Sequence, residues 1–187
     1  YRHAKREDEA RALAWDHFDR STSLAAYQLL RNTCGARDWP AWRDKALRTV
    51  RVGLNGKRSP WAGGGRSLLV EIFLHEGDSD AALAEAQAGG CTESLWFRIA
   101  EAREATHTQD AIAIYQARID PIVSRADKRA YDEAAVLIGK IGGLMKRSRR
   151  EKEFGEWVEG VRAKHRAKRN FMKRLEGLKK KYSFIQE

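Results

Sequence analysis

The chain has 187 residues, 42% of them apolar and 33% charged, and a net charge of +10. That balance suits a folded, highly charged protein rather than a disordered one. Two cysteines, outside any C-x-x-C pair, exclude a disulfide framework.

No apolar run approaches the roughly 18–20 residues of a membrane span. The start, YRHAKREDEA, lacks the apolar core of a signal peptide. A reducing, cytoplasmic setting is the expectation. The start also lacks an initiator Met, which points to an excised portion of a longer protein.

Strand signals are nearly absent, and helix signals recur every 15–20 residues. The first helix is expected over His3–Asp19, with Ala10, Leu13, Ala14, His17 and Phe18 on one stripe. Hydroxyls in Ser21-Thr22-Ser23 can cap a second, Leu24–Thr33, which Gly35 stops. Asp38 can cap a third, with Pro40 in its first turn and Trp39, Trp42, Ala46, Leu47 and Val50 facing inward. Gly53–Gly65 reads as a loop, and Trp61 within it is a candidate for surface contact.

The fourth helix, Arg66–Glu76, is so apolar that burial on most sides follows. Asp78 or Ser79 caps a short fifth, ended by Gly89-Gly90. Thr92 is expected to cap a sixth, Glu93–Glu104, and Thr108 a seventh, Gln109–Ser124, which Pro121 kinks or ends. Asp127 caps an eighth, Lys128–Lys146. The ninth begins near Arg149–Arg150 and runs to about Leu178.

Short helices joined by tight turns form antiparallel pairs, and stacked pairs form a solenoid. In Ser94–Pro121 (SLWFRIAEAREATHTQDAIAIYQARIDP), a helix bearing a large aromatic precedes A-x-x-x-Y and a terminal Asp-Pro. This resembles a tetratricopeptide repeat, with Ala111 and Tyr115 at the small and aromatic positions of its second helix and Leu95 early in its first. Ile99-Ala100 replaces the usual Leu-Gly, and Pro121 comes early, so the repeat is degenerate.

Asp127–Leu178 is similar to the C-terminal helical region of bacterial SWIM zinc-finger proteins. Tyr131 with Ala134-Ala135, Glu153-Phe154, His165-Arg166 and Lys168-Arg169-Asn170-Phe171 carry the likeness, and Asp38–Arg48 (DWPAWRDKALR) adds to it. The finger itself needs C-x-C…C-x-H ligands, which two isolated cysteines cannot supply. The resemblance therefore implies a helical accessory domain, with any finger expected upstream. The expected fold is all-α: tandem antiparallel helix pairs in a tetratricopeptide-like α-solenoid. It comprises an N-terminal unit (1–52), the Gly-rich loop (53–65), helix pairs (66–148) and a long basic C-terminal helix (149–187).

Chemistry is sparse. The five histidines are dispersed, and His75-Glu76 lacks the second ligand of H-E-x-x-H because Ser79 stands there. His17 reads as a core or rim residue, and His107 as the end of a turn. Gly56-Lys57 lacks the Ser/Thr and first Gly of a P-loop. Gly63-Gly64-Gly65 reads as a linker rather than an anion cradle. Cys34 and Cys91 read as small buried thiols. No catalytic residue, metal site or cofactor is expected.

What remains is the basic end. Lys140–Glu187 holds 16 Lys/Arg against 6 Asp/Glu, and the preceding residues hold 20 of each. Phe154, Trp157, Val158 and Val161 form an apolar stripe that Phe171, Met172, Leu175 and Leu178 resume. On one continuous helix Arg162, Arg166, Arg169 and Lys173 share a face, and Lys164, Lys168 and Arg174 widen it. Such a face suits phosphate contact, an acidic protein or membrane surface, or a solvated cap that closes the array. The leading expectation is a non-catalytic module that binds a protein partner through its helical surface. The rival is sequence-independent nucleic-acid binding through the basic helix.

Overall fold

The computed structural model describes the backbone of residues 2–55 and 64–181, with side chains over 6–53 and 66–178. Among these residues there are ten helices and no strand, so the protein is all-α. The helices are α1 (Arg2–Arg20), α2 (Leu24–Thr33), α3 (Trp39–Asn55), α4 (Gly64–Glu76) and α5 (Ser79–Gly89). They continue as α6 (Glu93–Arg103), α7 (Thr108–Ser124), α8 (Lys128–Arg147), α9 (Glu151–Lys164) and α10 (Arg169–Lys181). The chain forms two compact units that meet in sequence within α6, one ending at Ile99 and one starting at Ala100. Trp61 and Pro60 of the expected loop lie outside the described residues, while Gly53 belongs to α3 and Gly64-Gly65 open α4, so both edges of that loop are helical.

In the first unit α1 packs on α2, and α4 packs on α2, α3 and α5. Its core is a chain of rings: Trp15–Trp42 at 5.5 Å, Trp15–Phe18 at 5.9 Å, Phe18–Tyr27 at 6.3 Å and Tyr27–Trp39 at 5.3 Å between centroids. The Lys45 ammonium sits 3.8 Å from the Trp15 ring centroid and 4.7 Å from that of Trp42, within cation–π range. These contacts decide which face of α1 is buried. Ala14 and Phe18 are buried and Arg11 and Trp15 half-buried, whereas Ala10, Leu13 and His17 of the expected stripe are exposed. Burying Trp15 beside Trp42 removes more apolar surface from water than burying Leu13 would.

Helix ends follow local chemistry. Ser23 accepts from Ala26 N–H at 3.2 Å, Asp78 from Ala81 N–H at 2.9 Å, and Asp127 from Ala130 N–H at 2.7 Å. Gly77, at φ +79°, ends α4, and Asp78 N–H reaches back to the Phe73 carbonyl at 2.9 Å. Thr108 does not cap α7. It is the first helical residue, and its hydroxyl donates to the Glu104 carbonyl at 2.8 Å. Pro121 does not stop α7, which continues to Ser124. Its missing N–H forgoes the bond to the Ala117 carbonyl, and only three helical residues follow it.

In the second unit α8 is the central helix, packed on α7, α9 and α10. Eleven of its residues are buried, from Ala130 to Met145. Glu104 ties α7 to α8: its carboxylate accepts from Tyr115 Oη at 2.6 Å and from Lys140 Nζ at 2.7 Å. Burial works to raise the Glu104 carboxyl, and these two bonds outweigh it, holding it below the usual carboxylate range. Ala111 and Tyr115, the positions that resemble tetratricopeptide residues, are both fully buried.

The long ninth helix expected from Arg149 to Leu178 is two helices, α9 and α10, with a turn at residues 165–168. Phe154, Val158, Val161 and His165 fall on one helical stripe, and all are buried. At 100° per residue, Phe171 and Leu175 sit about 110° and about 70° to one side of that stripe's mean direction. A single straight helix would need a much wider apolar arc to bury both sets against α8, and the chain breaks between them.

Phe154 packs its ring against Gly142, where an added Cβ would lie 2.8 Å from Cζ. Gly143 has nothing within 4 Å of the same construction. Phe154 is 1% exposed, so its ring cannot turn away without disturbing a buried contact. Gly142→Ala is therefore expected to lower stability by about 1 kcal/mol, overpacking outweighing the gain in helix propensity. Gly143→Ala is expected to raise it by up to ~1 kcal/mol. Urea midpoints of the two variants should move in opposite directions. A Gly142→Ala protein as stable as Gly143→Ala would refute the close α8–α9 packing.

Candidate nucleic-acid interface

The seven basic residues singled out above lie on three elements. Arg162 and Lys164 close α9, Arg166 and Lys168 occupy the turn, and Arg169, Lys173 and Arg174 open α10. The single face expected for Arg162, Arg166, Arg169 and Lys173 does not form, because the break at the turn interrupts their helical spacing. Only Arg169 and Lys173 keep an i, i+4 relation on one helix.

The turn is held by a residue outside that set. His165 points inward, 7% exposed, with its ring 5.8 Å from Phe171 in an edge-on arrangement. Its Nε2 lies 2.7 Å from Asp120 Oδ1 near the end of α7, and Lys164 binds the other oxygen of the same carboxylate. Burial works to raise the Asp120 carboxyl, and the hydrogen bonds from Lys164 and His165 outweigh it, leaving it below the usual range. His165 continues the stripe of Phe154, Val158 and Val161, which is the signal that could have placed it inside.

The cations divide by what they already touch. Lys164 is spent on Asp120. Arg174 Nε meets Asp132 Oδ1 at 2.5 Å. Arg162 is half-buried, with Nε 3.5 Å from Glu159 and with Nη1 buried and lacking a hydrogen-bond partner among the described residues. Arg166, Lys168, Arg169 and Lys173 have no carboxylate partner among the described residues. Of these four, Arg166, Arg169 and Lys173 are exposed and Lys168 half-buried.

No other region gathers a reactive set. Among the described residues no group of three or more His, Cys, Asp or Glu side chains could hold a metal ion, and no helix is long and apolar enough to cross a membrane. Glu76, next to His75, accepts from Tyr27 Oη at 2.6 Å and from Arg43 Nε and Nη2, both at 2.7 Å. This carboxylate fastens α2 and α3 to α4. His75 itself is exposed, with Nδ1 3.3 Å from Gln28 Nε2. Cys34 is a buried thiol, pushed up by burial, and Cys91 is half-buried.

Compared with protein-family models, with curated proteins and with solved structures, the chain matches none.

The Asp120 cluster makes a prediction about acid. A carboxyl whose folded pKa is depressed stabilises the fold above its unfolded value of about 3.9, and that contribution is lost as pH falls through the folded value. Asp120→Asn should lower the urea midpoint at pH 7. It should also flatten the loss of stability between about pH 5 and pH 2, so that variant and wild type converge in acid. Parallel pH profiles would mean that Asp120 does not hold the turn.

Proposed function

We propose that the chain is a non-catalytic binding module whose second unit contacts the phosphate backbone of nucleic acid without reading its bases. The helix succession is read as tetratricopeptide-like, with buried Ala111 and Tyr115 in its favour. One observation carries the functional reading. Arg166, Lys168, Arg169 and Lys173 fall within eight residues and lack carboxylate partners among the described residues, whereas their basic neighbours Arg162, Lys164 and Arg174 are paired. Like charges this close repel one another, and a polyanion relieves that repulsion while releasing its own condensed counterions.

Nucleic acid is favoured over an acidic protein because of what the basic region lacks. A protein interface sets an apolar or aromatic core inside its charged rim. Among the described residues the exposed large apolar side chains are Leu13, Leu29, Val52 and Val136, and none is on α9 or α10. They stand on four different helices, and scattered singles of this kind are ordinary on protein surfaces. Phosphate contact needs no apolar core. Every described Trp, Tyr and Phe ring is buried or half-buried, which disfavours the stacking platforms that bind unpaired bases.

The test is a titration of labelled duplex DNA and single-stranded RNA by fluorescence anisotropy. With four phosphate contacts, affinity for duplex should fall roughly a hundredfold between about 50 and 200 mM salt. The triple variant Arg166→Gln, Lys168→Gln, Arg169→Gln should reduce the slope of log affinity against log salt by about 2–3. Absence of binding at about 50 mM salt, or a slope indifferent to the three substitutions, would sink the reading.

A further inference from the structure

The first turn of α8 and the start of α10 enclose a cleft of about 260 Å³, lined by Lys128, Tyr131, Asn170, Lys173 and Arg174. Tyr131 is 8% exposed, and its ring packs at a tilt against the buried Phe171 ring, 5.7 Å between centroids, which gives the cleft an aromatic wall. Lys128 and Lys173 are exposed and have no ion-pair partner among the described residues. Arg174, exposed on α10, pairs with Asp132 through Nε.

Asp132 pairs with Arg174, which leaves the ammonium groups of Lys128 and Lys173 as the unpaired charges on the cleft wall. Asp127, next to Lys128 in sequence, keeps its charge while it accepts from Ala130 N–H to cap α8. A phosphate monoester carries about −1.5 to −2 at pH 7, whereas a backbone diester carries a single charge. The small volume admits a phosphate and the sugar beside it, being below the roughly 300–1,000 Å³ of sites for drug-sized ligands. Asn170 adds an amide beside the cations.

We propose that this cleft is a terminal-phosphate site, which seats a phosphate monoester between Lys128, Lys173 and Arg174. The monoester belongs to the end of a strand or to a free mononucleotide. The strand-end form rests on the nucleic-acid reading above, and the mononucleotide form does not.

The experiment compares two labelled single strands of one sequence, with a 5′-phosphate or a 5′-hydroxyl, by anisotropy at about 150 mM salt. Calorimetry with adenosine 5′-monophosphate runs alongside. The phosphorylated strand should bind about tenfold more tightly, the scale of one or two charge-assisted hydrogen bonds. Lys128→Gln and Lys173→Gln should each shrink that ratio toward one. Arg129→Gln, next to Lys128 but outside the cleft, should leave it unchanged. Circular dichroism confirms that each variant keeps its helices.

Mononucleotide binding that is lost in the two lysine variants supports the site even if neither strand binds. Equal affinity for the two strands, with no mononucleotide binding, overturns the site and leaves that reading intact. Silence from all three ligands overturns the site, and the nucleic-acid reading is then decided by the duplex titration at about 50 mM salt.

Discussion

His165 must turn away from the surface that surrounds it. In a stretch otherwise made of alanines and charged or polar residues, its ring is buried against Phe171 and bonded to Asp120. That contact fixes the end of α9, the start of α10 and their attachment to α7. Without it, nothing apolar between Val161 and Phe171 would hold the segment down. Which cations are free to meet a partner follows from this one inward turn. Lys164 is drawn to Asp120 with it, while Arg166, Lys168 and Arg169 are left on the outside of the turn.

The same device recurs in both units: a partly buried carboxylate shared by donors from other helices. Glu76 gathers Tyr27 and Arg43, and Glu104 gathers Tyr115 and Lys140. In each trio burial pushes the tyrosine hydroxyl up, and the hydrogen-bonded carboxylate adds to that shift. Both carboxyls are held below the usual range despite their burial. The charged form is thus the one these sites are built around. Helices with modest apolar faces are fastened at specific points rather than by area alone, which fixes register between neighbours.

Much of the fold is legible in the sequence, because caps and apolar runs are local. Ser23, Asp78 and Asp127 cap as their positions imply, and α4 is as buried as its composition requires. The errors arise where a distant partner decides. The buried face of α1 depends on Trp42 and Lys45, about thirty residues further on, so Leu13 and His17 end up outside. The break between α9 and α10 shows in the phase of their apolar residues, not in their number. The stripe that ends in His165 and the one that begins at Phe171 are out of phase, and that phase is in the sequence. Of the candidate site, the residue types were legible and their availability was not. Nothing local reveals that Asp120 and Asp132 take up Lys164 and Arg174. Nor does sequence spacing bring Lys128 to the same cleft as Lys173.

The pinned turn also changes the entropy of any encounter with a polyanion. A disordered basic tail must give up about 1–2 kcal/mol of backbone freedom for each residue it orders on binding. Arg166–Lys173 has already given up that freedom during folding, through His165, Phe171 and the α8 contact. Only the rotamers of the long side chains remain to be fixed, so more of each phosphate contact appears as net affinity. The cost is reach: a fixed constellation fits phosphates at one spacing and cannot wrap to follow others.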